Sequence, residues 1–120
     1  MLLKSNITKL IAKFYNRNEE NTLPQNFKEA EIVRKRVEFF GNVIGVGFRI
    51  TAYNLANKLK LVGFVKNTEK GSVLMEVEGN KNKVNYLINS LASLKRAPLT
   101  NLHNLQIDVL SSEEEFKIYN

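Results

Sequence analysis

The sequence contains no cysteine, no tryptophan, only two prolines and a single histidine, His103. Without cysteine the chain has no disulfide, no thiolate metal site and no cysteine nucleophile. One histidine, most simply a surface or half-buried structural residue, is too few for a histidine-rich metal centre. The lack of cysteine predicts an intracellular, reducing compartment, which we expect to be the cytoplasm. We also expect a protein without a metal or another cofactor.

Long apolar runs are also missing. No stretch approaches the roughly 20 apolar residues that a membrane-spanning helix needs, and the N-terminus lacks the continuous apolar region of a signal peptide. We therefore expect neither a membrane-spanning nor a secreted protein. What is present, 120 residues of which 43% are hydrophobic and 25% charged, is typical of one globular domain with its own core.

Basic residues outnumber acidic ones, 18 Lys and Arg against 12 Asp and Glu, which gives a net charge of +6. This excess favours an anionic partner: a phosphate compound, a nucleic acid or an acidic membrane surface. The only tight basic run is Arg34 to Arg36, so charge alone does not choose among these partners and also fits a solvated surface. The acidic run from Glu113 to Glu115 is most simply a solvated turn.

Residues 1–17 carry apolar side chains at helical spacing and predict one amphipathic helix. Because no acidic residue precedes Glu19, an organelle transit peptide or a membrane-surface helix is an alternative interpretation. We favour a helix docked on its own domain or on a second subunit, the latter giving a homo-oligomer. Residues 18–31, rich in Asn and Glu, then predict a linker, and residues 32–120 the main domain.

The main domain alternates between strand and helix periodicity. The predicted elements are a strand at Arg36–Phe40, a helix from Phe48 to Leu59, strands at Val62–Lys66 and Ser72–Glu78, a helix from Val84 to Leu94, and terminal strands around Leu105–Val109 and Phe116–Ile118. This order predicts an α+β fold of the ferredoxin-like split β-α-β type, an antiparallel sheet with two helices on one face. Such a fold hosts many activities, so function must be argued from the site.

A glycine-rich turn, Gly41 to Arg49, lies between the first predicted strand and its helix. Backbone N–H groups at the start of a helix lack intrahelical partners, and glycines let the chain turn those donors toward one anion of phosphate size. Arg49 adds a guanidinium that matches phosphate oxygens. Taken alone, the loop is more simply interpreted as a plain strand-to-helix turn carrying an exposed arginine.

The stretch from Val37 to Gly79 resembles the acylphosphatase family. Gly41 to Arg49 matches the family pattern G-x-V-Q-G-V-x-F-R apart from Ile44, and Leu61 to Asn67 matches L-x-G-[WFY]-V-x-N. The 18-residue step from Arg49 to Asn67 is also that of the family, and Lys70 to Val73 and Gly79 cover its turn and next strand.

The resemblance implies a hydrolase that splits a carboxyl-phosphate anhydride into carboxylate and inorganic phosphate. Asn67 would position the attacking water, Arg49 would clamp the phosphate, and Thr68 would support the loop. The phosphate-binding amides would be those of Ile44, Gly45, Val46, Gly47 and Phe48. A carboxylate is a weak base and leaves without protonation, so the lack of a nearby His or Cys is no objection.

The chain departs from the family pattern at several points. The N-terminal thirty residues exceed the minimal family length, and Lys70 replaces or neighbours the usual turn Asp, which changes surface charge more than chemistry. Ile44 replaces the usual Gln, which removes a side-chain amide beside the loop and leaves the backbone N–H in place. Lys60 stands where a helix-ending Gly is frequent, and we expect it to adopt a positive φ.

Two other functions remain open from the sequence. A catalytically silent relative would keep the fold as a binding module, which Ile44 and the N-terminal extension suggest. An RNA-binding domain of ferredoxin-like type would need stacking aromatics on the two central strands. Gly63 to Val65 only faintly resembles the aromatic motif of such domains.

Overall fold

The computed structural model describes residue 24 and residues 26–120. The helix predicted for residues 1–17 therefore lies outside the described residues, as does most of the predicted linker. The elements are β1 (Ile32–Gly41), α1 (Phe48–Lys58), β2 (Val62–Asn67), β3 (Val73–Asn80), α2 (Lys81–Ala92), β4 (Leu99–Ile107) and β5 (Phe116–Ile118). Within the described part of the chain, no helix has the length and apolar character needed to cross a membrane.

The strands form a single sheet in the order β4-β1-β3-β2-β5. β1 is antiparallel to both β3 and β4, and β2 is antiparallel to β3. This confirms the predicted split β-α-β architecture. The short additional strand β5 pairs parallel to β2, so the complete sheet is mixed.

The helices cover one face of the sheet. Along β1, Val33, Val37 and Phe39 are at most 1% exposed, whereas Arg36 between them is exposed. This alternation follows from the two-residue period of a strand with one buried face, and it confirms the face predicted for Val37 and Phe39. The same core contains the inward residues of the neighbouring strand and helices: Val73, Met75, Val77, Ala52, Leu55, Ala56, Val84, Leu87 and Leu91.

The last long strand begins earlier than predicted. β4 runs from Leu99 to Ile107, so Val109 lies beyond its end. β4 is an edge strand whose side chains are mostly exposed. Its extent is therefore set by backbone pairing with β1 more than by an apolar pattern.

The opposite face of the sheet holds a cluster of charges around Arg34, which is only 1% exposed. Its guanidinium lies 2.9 Å from Glu76, 3.2 Å from Glu78 and 2.5 Å from Glu113. Burial alone would lower the pKa of Arg34, but its carboxylate partners outweigh burial and raise that pKa. Glu113 is thus an ion-pair partner, and its interpretation as part of a solvated turn was wrong.

This cluster also holds the connection from β4 to β5 against the sheet. Glu78 also accepts hydrogen bonds from the backbone N–H groups of Leu110 (2.8 Å) and Ser111 (3.2 Å). β4 and β5 lie at opposite edges of the sheet, about 19 Å apart at the usual strand spacing. The connection, residues 108–115, spans that distance across the outer face and brings β5 to β2.

The end of α1 has the predicted left-handed residue. Lys60 has φ 57°, while its N–H donates to Asn57 O (3.1 Å) and that of Leu61 donates to Ala56 O (2.9 Å). These are the two hydrogen bonds of a Schellman motif, in which glycine is the usual residue at the left-handed position.

We expect Lys60→Gly to raise the free energy of unfolding by about 0.5–1 kcal/mol, because relief of left-handed strain (roughly 1–2 kcal/mol) exceeds the entropy that glycine adds to the unfolded chain. Urea denaturation measures the change. Lys60→Ala is the control, since it removes the same charge and keeps the Cβ. Equal stabilisation by both variants would mean that charge, and not backbone strain, is responsible.

Candidate active site

The predicted anion loop leaves β1 at Gly41 and enters α1 at Phe48. Phe48 is buried, and its ring packs on that of Phe39 with the centroids 4.9 Å apart, so the start of α1 is held over the end of β1. Gly45 and Gly47 have φ angles of 76° and 78°, in the left-handed region. Glycine is required at both turns because a Cβ would be strained there.

Most backbone N–H groups of this loop are left available. The first amides, those of Asn42 and Val43, donate to Pro98 O and Gly41 O. Gly47 caps α1 with no side-chain hydrogen bond, and Thr51 N makes the bond that closes the first helical turn. Among the described residues, the amides of residues 44–48 have no protein acceptor. Donors at the positive end of a helix can therefore bind an anion or water here.

Arg49 is half-buried in the first turn of α1 and is held from the opposite side by the C-terminal segment. Its Nη1 donates to Tyr119 O at 2.6 Å, and Tyr119 N donates to Val65 O of β2 at 2.9 Å. A guanidinium has five N–H donors, so this contact fixes the group and leaves others for a ligand.

Asn67 lies at the same end of the sheet as the loop. Phe39 of β1 pairs with Val73 of β3, which pairs in turn with Asn67 of β2. Two strand spacings put Asn67 about 10 Å from Phe39, which lies two residues before Gly41, where the loop begins. Asn67 also shares the helix-covered face of β2 with the buried Val65. The loop, Arg49 and Asn67 are thus gathered at one end and on one face of the sheet.

The turn after Asn67 is held by a small polar cluster. Thr68 Oγ1 accepts from Lys70 N (3.2 Å) and Ser72 N (3.3 Å) and lies 2.6 Å from Ser72 Oγ. Ser72 Oγ in turn donates to Glu38 of β1 at 2.5 Å. The described contacts of Thr68 are therefore with this turn, and its expected support of the phosphate loop stays a prediction.

Arg96 is a site residue that the sequence reasoning missed. It lies in the turn between α2 and β4, and its Nε donates to Val46 O of the loop at 3.0 Å. Its guanidinium also contacts the hydroxyl of Thr51. The contact joins residues 50 positions apart, and nothing in the local pattern around Arg96 indicates it. Only the approach of Pro98 to the loop, which depends on the sheet topology, could have suggested it.

The chain is similar to known proteins in both sequence and fold. Residues 35–119 match the family model described as acylphosphatase. An acylphosphatase of Geobacillus kaustophilus (strain HTA426) is 38% identical over 79 residues, which are 65% of this chain and 84% of that protein. Human acylphosphatase-2 is 41% identical over 71 residues, 56% of this chain and 72% of that protein. The crystal structure of acylphosphatase from Bacillus subtilis superimposes with a TM-score of 0.69 at 28% identity, covering 73% of this chain and 99% of that one.

Glu38 links the polar cluster to acid stability. The hydrogen bond from Ser72, together with Lys70 Nζ at 3.3 Å, lowers the pKa of Glu38 below its ordinary value. A carboxyl with a depressed folded-state pKa stabilises the fold above its unfolded pKa, about 4.3, and loses that contribution as the pH falls through its folded-state pKa.

We expect Glu38→Gln to be less stable than the wild type at pH 7, with the difference disappearing in acid. Denaturation at a series of pH values measures it, and Glu69→Gln in the same turn, a change at an exposed residue, should show no such profile.

The Tyr119 carbonyl provides a second test. Deleting Tyr119 and Asn120 removes the acceptor that holds Arg49, whereas Tyr119→Ala removes the same ring and keeps the carbonyl. We expect the deletion alone to weaken inorganic phosphate binding by roughly tenfold, the equivalent of one hydrogen bond to a charged group. Isothermal calorimetry measures the affinity. Equal loss in both variants would assign the effect to the ring, which lies 5.9 Å from Phe64 between centroids.

Proposed function

We infer that this chain, which belongs to the acylphosphatase family, hydrolyses acyl phosphates by holding the phosphate on the 44–49 segment while Asn67 directs water at phosphorus. The activity is the one shown by its relatives, and the residue roles are our proposal. The observation that supports these roles is the set of unpaired loop amides at the same end of the sheet as Arg49 and Asn67. The proposed phosphate ligands are the amides of Ile44, Gly45, Val46, Gly47 and Phe48 and the guanidinium of Arg49.

The reaction breaks the bond between phosphorus and the carboxylate oxygen and forms one between phosphorus and the water oxygen. The departing carboxylate takes the bonding electrons and needs no proton, and the proton lost by water goes to a phosphate oxygen. The amides and Arg49 stabilise negative charge on the equatorial phosphoryl oxygens as the transition state forms. Asn67 can accept a hydrogen bond from water but does not titrate, so its role is orientation.

Ile44 is compatible with this role in spite of the missing glutamine side chain. It is 43% exposed, so its side chain does not fill the loop. The proposed contact uses the backbone N–H, which every residue except proline provides.

The substrate is proposed to be a small acyl phosphate, with inorganic phosphate as product and inhibitor. A cytoplasmic location, proposed from the lack of cysteine, stays a prediction, as does a homo-oligomer formed through residues 1–17.

The two alternatives are less favoured. An RNA-binding domain of this type needs stacking aromatics on both central strands. β1 carries the half-buried Phe40 on its outer face, but the outward residues of β3 are Leu74, Glu76 and Glu78, so that strand offers no aromatic for stacking. A catalytically silent relative would have no need to keep both Arg49 and Asn67, which are present together.

Turnover of benzoyl phosphate separates the proposed roles. Arg49→Ala should lower both inorganic phosphate affinity and kcat/KM, the latter by about 10²–10³-fold, the usual cost of losing a transition-state donor. Asn67→Ala should lower kcat and leave phosphate affinity nearly unchanged, because it contacts water and not phosphate. Lys66→Ala, which removes a charge from the opposite face of β2, is the matched control.

Two outcomes would contradict the proposal. Comparable hydrolysis by wild type, Arg49→Ala and Asn67→Ala would remove both residues from the chemistry. An equal loss of phosphate affinity in the two variants would refute the division of roles between them.

A further inference from the structure

We propose that Arg96 is a positioning residue, one that orients the peptide between Val46 and Gly47 so that the Gly47 N–H faces the bound phosphate. The inference rests on the proposed phosphate site and adds a residue from outside the motifs that suggested it. Arg96 would act on the loop from behind and would not itself touch the substrate.

The contacts of Arg96 bridge the loop and its helix. One guanidinium donates through Nε to Val46 O at 3.0 Å and also contacts Thr51 Oγ1. Thr51 is only 4% exposed, so Arg96 also supplies a partner for a buried hydroxyl. The planar fork of a guanidinium holds two acceptors in a fixed relation, which a lysine ammonium does not do.

The geometry of the peptide group gives this contact a consequence for the site. The described residues contain no cis peptide bond, so the C=O of Val46 and the N–H of Gly47 point in opposite directions from one plane. With the carbonyl held on Arg96, the Gly47 N–H is directed away from Arg96. Among the described residues it has no protein acceptor, so it is available to an anion in the loop.

A restraint from outside the loop is needed because the loop itself does not fix this orientation. Gly45 and Gly47 flank Val46, and glycine populates positive and negative φ about equally, so the Val46 carbonyl could turn over at little cost. The turn that carries Arg96 is anchored nearby, since Pro98 O accepts from Asn42 N at 3.1 Å. This turn therefore holds the loop at its start and again near its end, and Arg96 restricts the flexible part between.

The test compares Arg96→Gln with Lys95→Gln. Both remove one positive charge from the same exposed turn, but Lys95, unlike Arg96, makes no hydrogen bond with the loop within the described residues. We expect Arg96→Gln to weaken inorganic phosphate binding on the order of tenfold, less than the loss of a whole donor. It should also diminish the phosphate-induced shift of the Gly47 amide resonance and speed its hydrogen exchange. Lys95→Gln should leave all three near wild type.

Arg96→Lys provides a variant that retains the charge and the long side chain. We expect it to recover part of the phosphate affinity, because one donor can reach Val46 O while the fork is lost. If Arg96→Gln does not fold, the same measurements on Arg96→Lys decide the matter. The proposal is overturned if the folded Arg96 variants keep the Gly47 response and the phosphate affinity of Lys95→Gln, whatever their thermal stability.

The Gly47 measurements use inorganic phosphate alone and do not depend on turnover. Failure of the wild type to hydrolyse benzoyl phosphate would therefore count against the proposed function. An unchanged Gly47 signal in Arg96→Gln would count against the positioning role proposed for Arg96.

Discussion

The site depends on the placement of β3 between β1 and β2. Because β3 is antiparallel to both neighbours, β1 and β2 run in the same direction and end at the same edge of the layer. The chain leaves β1 into the glycine loop and reaches Asn67 at the end of β2. Backbone pairing thus unites two motifs that are separated by a helix. No side-chain contact between the motifs is needed for this, so substitutions within the loop can alter its chemistry without moving Asn67.

The second constraint comes from the opposite face of the sheet. Arg34 holds Glu113 of the connection from β4, and Glu78 of β3 holds the backbone of the same connection. The connection delivers β5 to the edge of β2, where Tyr119 O accepts from Arg49. The buried ion cluster around Arg34 therefore helps to place the acceptor of Arg49, although the cluster and the candidate site lie on opposite faces of the sheet. Such a cluster is weak evidence for net stability, because desolvation opposes its Coulombic attraction; its clearer effect is to specify the path of the chain.

The parts that were predictable from sequence are local. The alternation in β1, the stripe on each helix and the block from Gly41 to Arg49 are patterns of adjacent residues. The structure confirms the strand and the helices that they predicted, and the family model confirms the resemblance, while the phosphate-binding role of the block stays a prediction. Lys60 was predictable because the end of a helix imposes its own backbone geometry. The contacts of Glu113 with Arg34 and of Arg96 with Val46 join residues that are 79 and 50 positions apart. The pairing of β5 with β2 depends on the strand order of the whole sheet. No short-range pattern carries that information, and the exposed edge strand β4 gives little apolar signal for its own limits.

The donors that we propose for the phosphate explain how such a site can be built without cysteine and with a histidine that lies elsewhere. Main-chain amides and a carboxamide do not titrate near neutrality, and a guanidinium stays protonated in proteins. Their value lies in being fixed before the charge develops, since oriented dipoles then need no rearrangement in the transition state. The proposed site therefore depends on holding the backbone in place and not on shifting the pKa of a catalytic side chain. Phe48 packed on Phe39, Tyr119 O on Arg49 and Arg96 on Val46 each restrain a different part of the site. In the proposed mechanism, a rigid backbone takes the place that an acid or a base has in many other hydrolases.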